Sequence, residues 1–106
     1  MKNKYKVITL CGCIKFKEDF LREQARLSLD GNIVLTPVFL EHYEGFKCMT
    51  KEIKTHLCDL HKRKIDMADE IFVINKNGYI GENTKDEIEY ALNKNKKVNY
   101  MEQINN

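Results

Sequence analysis

Ile71-Phe72-Val73-Ile74 is a run of four apolar residues set between Asp69-Glu70 and the turn-rich Asn75-Lys76-Asn77-Gly78. No polar residue alternates along it, so it reads as a strand covered on both faces, the place of an inner strand in a parallel sheet. Just before it, Thr50 can cap a helix that Asp69 ends, with Ile53, Leu57, Leu60, Met67 and Ala68 marking one apolar face. Just after it, Gly78-Tyr79-Ile80-Gly81 continues the turn, and Thr84-Lys85-Asp86-Glu87 has the form of a capping box opening another helix. Ile88, Ala91 and Leu92 give that helix its inward face, and Lys97-Val98-Asn99-Tyr100-Met101 supplies a final strand.

Towards the N-terminus the alternation continues. Asn32 to Thr36 holds Ile33-Val34-Leu35 and is cut off by Pro37, which makes it a strand followed by a loop. Phe16, Phe20, Leu21, Ala25 and Leu29 recur at three-to-four spacing and predict a helix stopped by Asp30-Gly31. Tyr5 to Leu10 is β-rich and runs into a tight turn at Cys11-Gly12-Cys13. The order βαβαβαβ implies parallel strands joined by right-handed crossovers, with helices on both faces. The expectation is one α/β domain over residues 1–106, a three-layer Rossmann- or flavodoxin-like fold with a four-stranded parallel sheet in the order 2-1-3-4. Ligands of such sheets bind where the winding reverses, here at the carboxyl ends of strands one and three. Cys11 to Phe16 and Asn75 to Glu87 are therefore expected to line the crevice.

Composition narrows the function classes. A chain of 106 residues with 42% hydrophobic and 32% charged residues is one ordinary globular domain, too small for two catalytic units. Eighteen Lys and Arg against sixteen Asp and Glu, scattered rather than striped, argue against a nucleic-acid polymer as partner. No apolar run approaches the ~20 residues of a membrane span, and the first residues lead into a strand rather than a signal peptide, so a cytoplasmic protein with no membrane partner is expected. Cys11, Cys13, Cys48 and Cys58 have no framework spacing and are expected to be reduced thiols. The segment from Pro37 to about Cys48 is long and aromatic for a connector, with Phe39, His42, Tyr43 and Phe46. It favours a lid or a subunit contact, and a homodimer is expected from it.

Each candidate residue in the crevice has two readings. Gly12 lets the backbone pass close to a ligand, with the amides of Cys13, Ile14 and Lys15 ahead of a helix N-terminus where an anion is favoured; or it only makes a tight turn. Glu87 is either the partner of Thr84 in a helix cap or a carboxylate at the crevice mouth, placed to attack a sugar carbon. Cys11-x-Cys13 and His56-x-Cys58-x-x-His61 do not match paired ligand patterns, so no metal and no cofactor are expected. Cys13 is either a reactive thiol at a helix start or an inert one in a turn.

Three segments in this order, Ile8 to Cys13, Lys64 to Asn75, and Gly78 to Gly81 leading to Glu87-Ile88-Glu89-Tyr90-Ala91, resemble the nucleoside 2-deoxyribosyltransferase-like superfamily, in particular its small bacterial and phage branch. The resemblance covers nearly the whole chain. It implies a site for a nucleoside or nucleotide in which the first loop holds the sugar or its 5′-phosphate and Glu87, in the first turn of its helix, is the nucleophile at C1′. The reaction implied is cleavage of an N-glycosidic bond or transfer of a 2-deoxyribosyl group through a glycosyl-enzyme ester. The family's first loop usually reads Cys-Gly-Ser where this chain has Cys13, and the loop before the last helix commonly offers Ser or Asp where this chain has Gly81-Glu82-Asn83-Thr84. An Asp that assists at the sugar falls, counting eight residues back from Asp69, on His61, with Asp59 close by.

The catalytic candidates are thus Glu87, Asp59 and His61, and the binding candidates Gly12, Cys13, Ile14, Lys15, Tyr79, Gly81 and Asn83. The alternative is a domain that binds or senses a nucleotide-derived ligand without turnover, because a fold does not fix chemistry.

Overall fold

A computed structural model describes residues 5–40, 43 and 49–104. Four strands, β1 (Val7–Gly12), β2 (Ile33–Leu35), β3 (Glu70–Ile74) and β4 (Lys97–Tyr100), form an all-parallel sheet in the order β2-β1-β3-β4. Helices α1 (Lys17–Leu29), α2 (Lys51–Met67) and α3 (Glu82–Asn93) make the crossovers. The apolar run at Ile71–Ile74 is an inner strand, paired with β1 on one side and β4 on the other. Among the described residues, no helix is long and apolar enough to cross a membrane.

Strand alternation sorts the core into two clusters. Ile8 and Leu10 of β1 and Ile74 of β3 pack with Phe20 and Leu27 of α1. Cys11 of β1 and Ile71 and Val73 of β3 face the other way and pack with Ile65 of α2 and Ala91 of α3. The layers are therefore α1, sheet, and α2 with α3.

Helix phases differ in detail from the sequence expectation. On α1 the buried residues are Asp19, Phe20, Glu23 and Leu27, while Leu21 and Leu29 are exposed, Leu29 to 89%. The apolar residues of α1 lie on two adjoining faces at 3.6 residues per turn, and only the one containing Phe20 and Leu27 meets the sheet. On α2 the buried residues are His61 and Ile65, followed by Ala68, whereas Met67 is exposed. On α3 Leu92 is exposed, and Thr84 and Ala91 are the buried residues.

The caps show a clear success and a clear correction. Thr50 caps α2 by accepting a hydrogen bond from the Ile53 amide at 3.1 Å. The expected box from Thr84 to Glu87 does not form, because α3 starts three residues earlier, with Gly81 rather than Thr84 as its N-cap and the Gly81 carbonyl accepting from the Lys85 amide at 2.9 Å. Glu87 thereby falls in the second turn, where the amides are already bonded within the helix, and its carboxylate is released from capping.

Candidate active site

Three elements aim side chains at the carboxyl end of β1. Thr9 and Cys11 share the face of β1 that meets α2, where the Thr9 hydroxyl donates to the Lys64 carbonyl at 2.8 Å. Cys11, fully buried, lies with its Sγ 3.5 Å from His61 Nε2. His61 Nε2 is in turn 4.0 Å from Glu87 Oε1. The helices carrying these last two residues are fixed to each other by Tyr90, whose hydroxyl donates to Asp66 at 2.7 Å and accepts from Arg63 at 3.1 Å.

The loop before α3 is held as firmly. Asn75, at the end of β3, is buried and exchanges two hydrogen bonds with the Glu102 backbone, at 3.0 and 2.8 Å. The Asn77 amide, at a residue with φ of 55°, donates to the Glu102 carboxylate at 2.9 Å. These bonds tie the start of the α3 approach to the segment after β4.

A cavity of about 620 Å³ opens above this cluster, within the range of small-molecule sites. Glu87, Thr84, Asn83 and Tyr79 form one side, Gly12, Cys13 and Ile14 the floor at β1, and His61, Lys64, Leu57 and Lys54 of α2 the opposite wall. Pro37, Val38, Leu40 and Met49 complete it. The crevice expected between the ends of β1 and β3 is thus present. From α2 only His61 and Asp59 were expected at the site, through the resemblance; Lys54, Leu57 and Lys64 were not, because nothing in the spacing of α2 says which face looks across the sheet edge rather than onto it. The alternation of β1 carried a usable signal: Cys11, two residues from Thr9, must share its face.

Burial raises the Glu87 carboxyl from its ordinary 4.5 to about 7, against smaller downward pulls from a Cys11 hydrogen bond and from Lys62 and a small upward push from Asp86. Burial also lowers the His61 ring from 6.5 to about 4, helped by the neighbouring Lys64 and opposed by the Leu10 backbone. His61 Nδ1 nonetheless has no aligned hydrogen-bond partner, so the Leu10 carbonyl is a neighbour of the ring rather than an anchor for it. The Cys11 thiol is pushed well up by burial and then by the Glu87 charge and hydrogen bond. At neutral pH the cluster is a thiol, a neutral imidazole and a carboxyl close to half ionised.

Of the sequence candidates, Gly12, Cys13, Ile14, His61, Tyr79, Gly81, Asn83 and Glu87 line the cavity. Asp59 does not. Its side chain is 67% exposed, 3.9 Å from Arg63, and it faces solvent beside Lys51, Glu52, Thr55 and His56. The reason is helical geometry: Asp59 and His61 are two residues apart on α2, about 200° around its axis, so when one faces the cavity the other faces away. Lys15 stands outside the lining, with its Nζ 4.0 Å from the centroid of the Tyr79 ring, which also packs edge-on against Phe16 at 5.9 Å.

The first loop also differs from expectation. Cys13 precedes a 3-10 turn, Ile14–Phe16, and α1 begins only at Lys17, so the amides of residues 13–15 do not form the end of an α-helix. The N-terminal turn of α1 already carries Asp19, paired with Arg22 at 2.7 Å and Lys76 at 3.5 Å. Gly12 has a packing role: with φ at +151°, a Cβ there would come within 2.8 Å of the Ile74 carbonyl oxygen. Asp69 is a clamp between strands, its amide and carboxylate bonded to the Val7 backbone at 2.8 Å each. Phe39 packs edge-on against Phe20 at 5.4 Å, while Tyr43 is exposed. The expectations for His42, Phe46 and Cys48 lie outside the described residues.

Neither a protein-family model nor a curated protein matches the chain.

Proposed function

We propose that the protein cleaves the N-glycosidic bond of a nucleoside or nucleotide, or transfers its 2-deoxyribosyl group, with Glu87 as nucleophile. The observation that carries this reading is Glu87 itself. Its side chain is 15% exposed, freed from helix capping, and set in the wall of a cavity large enough for a nucleotide-sized ligand. The resemblance of the three segments gives the same residue the same role.

The chemistry suits the surroundings. A carboxylate in a poorly solvated wall has few water dipoles to neutralise it, so it stabilises the positive charge that develops at C1′ more strongly than an exposed one does. Attack by Oε forms an ester at C1′ as the C1′–N bond breaks and its electron pair leaves with the base. Water or a second base then displaces Glu87. The leaving base needs a proton or a hydrogen bond, and Asn83 and Tyr79 are among the polar groups on that side of the cavity. Lys54 and Lys64 on the α2 wall favour an anionic ligand, a 5′-monophosphate over a free nucleoside. Assembly as a homodimer belongs to the same reading, with exposed Leu29 and Ile33 as apolar surface; a monomer mass by light scattering counts against it.

The test is chromatographic. Wild type and Glu87→Gln are incubated with deoxyribonucleosides, their 5′-monophosphates and the ribo counterparts, and free base is measured. Release by wild type alone supports the reading. Ligand binding without release by either protein refutes it in favour of a non-catalytic binding domain.

A further inference from the structure

We propose that Cys11, His61 and Glu87 form a binding site for one Zn²⁺ ion whose fourth coordination position opens to the cavity. The three side chains come from β1, α2 and α3, and their ligand atoms all lie within 4.8 Å of one another. Zn–S near 2.3 Å and Zn–N or Zn–O near 2.0–2.1 Å, at a tetrahedral angle, separate sulfur from nitrogen by about 3.5 Å and nitrogen from oxygen by about 3.4 Å. Sγ of Cys11 and Nε2 of His61 are 3.5 Å apart, so that edge already has the bound length. Nε2 and Oε1 of Glu87 are 4.0 Å apart. Closing that edge by about half an ångström asks for a small side-chain rotation of Glu87, which lines the cavity.

Charge and access agree with the geometry. Cys11 ligates as thiolate, its proton passing to the buffer, so a thiolate and a carboxylate cancel the charge of a divalent ion. A neutral cluster is what a buried site tolerates best. Thiolate and imidazole favour Zn²⁺ over Mg²⁺ or Ca²⁺, which take oxygen ligands. His61 and Glu87 line the cavity while Cys11 lies behind them, so an ion enters through the cavity and its last ligand is a water or a group of whatever occupies it. Such a site does not rest on the proposed glycosidic chemistry, but its occupancy excludes that chemistry, because a carboxylate held by zinc cannot attack carbon.

The experiment uses the full chain, stripped with a chelator and titrated with Zn²⁺ against a chromophoric competitor, and with Co²⁺ followed by absorbance. A triple variant, Cys13→Ser, Cys48→Ser and Cys58→Ser, leaves Cys11 as the sole thiol. One Zn²⁺ per chain, a thiolate-to-cobalt charge-transfer band in the triple variant, and at least tenfold weaker Zn²⁺ binding in His61→Gln and in Glu87→Gln support the site. Circular dichroism establishes that each variant is folded, and Cys11→Ala is used only if it passes that check. The proposal is overturned if wild type binds no Zn²⁺ at micromolar concentration, if Zn²⁺ binding is lost in a folded triple variant, or if both His61→Gln and Glu87→Gln bind as wild type does. A failure here leaves base release by wild type untouched, and a failure to release base leaves the metal titration untouched.

Discussion

Replacing Glu87 with Gln should expose a pH dependence of stability that Glu87 and His61 cancel between them in the wild type. The unfolded chain has Glu87 near its ordinary 4.5 and His61 near 6.5; folding moves the carboxyl up to about 7 and the ring down to about 4. Between pH 4.5 and 6.5 the unfolded pair holds one proton, on the imidazole. The folded pair also holds one, on the carboxyl or, as an ion pair, on the ring. Equal proton counts mean no slope from this pair. Each group alone has a steep one. His61, with its folded value depressed, makes the protein more stable as pH rises through 4 to 6.5, because the unfolded state there still holds a proton that the folded state has already lost. Glu87, with its folded value raised, makes it less stable as pH rises from 4.5 to 7, because the folded state must give up a proton that the unfolded state has already lost.

In Glu87→Gln the His61 slope stands alone. A change in ring affinity from 6.5 to about 4 is worth about 3 kcal/mol at 1.36 kcal/mol for each tenfold step. The variant should therefore gain about 3 kcal/mol relative to wild type between pH 4 and pH 7, or roughly 10–20 °C in Tm for a domain of this size. Urea unfolding of both proteins at pH 4.5, 5.5, 6.5 and 7.5, with a chelator present, measures this directly. Parallel curves for the two proteins would refute the opposed burial of the carboxyl and the ring. A wild type whose stability climbs as steeply as the variant's would refute the cancellation.

Further outcomes follow from the same geometry. If Glu87 attacks as a carboxylate, kcat/KM should rise tenfold per pH unit below about 7 and level off above it; a fall above pH 7 would make it a proton donor instead. Asp59→Asn should leave base release within about twofold of wild type, since an exposed residue with one surface ion pair contributes little, and a hundredfold loss would restore it to the site. Lys54→Met should weaken a 5′-monophosphate about tenfold, the worth of one charge-assisted hydrogen bond, while leaving the free nucleoside unchanged in calorimetric titration. Gly12→Ala should cost about 2 kcal/mol or more in urea unfolding, from the clash with Ile74 and the unfavourable φ together.

The sheet was legible because its signals are local. A four-residue apolar run can only be an inner strand if helical spacings flank it, and Pro37 and Gly31 punctuate the chain where the strand and turn require. The order β2-β1-β3-β4 then follows from handed crossovers and nothing finer. The site was legible only in part, because its chemistry is set by phase and by depth. Thr84-Lys85-Asp86-Glu87 satisfies the capping pattern, yet Gly81 starts the helix first, and three residues of shift turn a cap into a buried carboxyl. Asp59 and His61 were equivalent in sequence and are opposed on the helix. Cys11 looked like a turn residue beside Gly12, whereas β1 runs through Gly12 and turns the sulfur inward against His61. What joins these three residues is neither spacing nor composition. It is the crossing of α2 and α3 above one face of β1, held by Tyr90 between Asp66 and Arg63, and that contact is long-range in the chain.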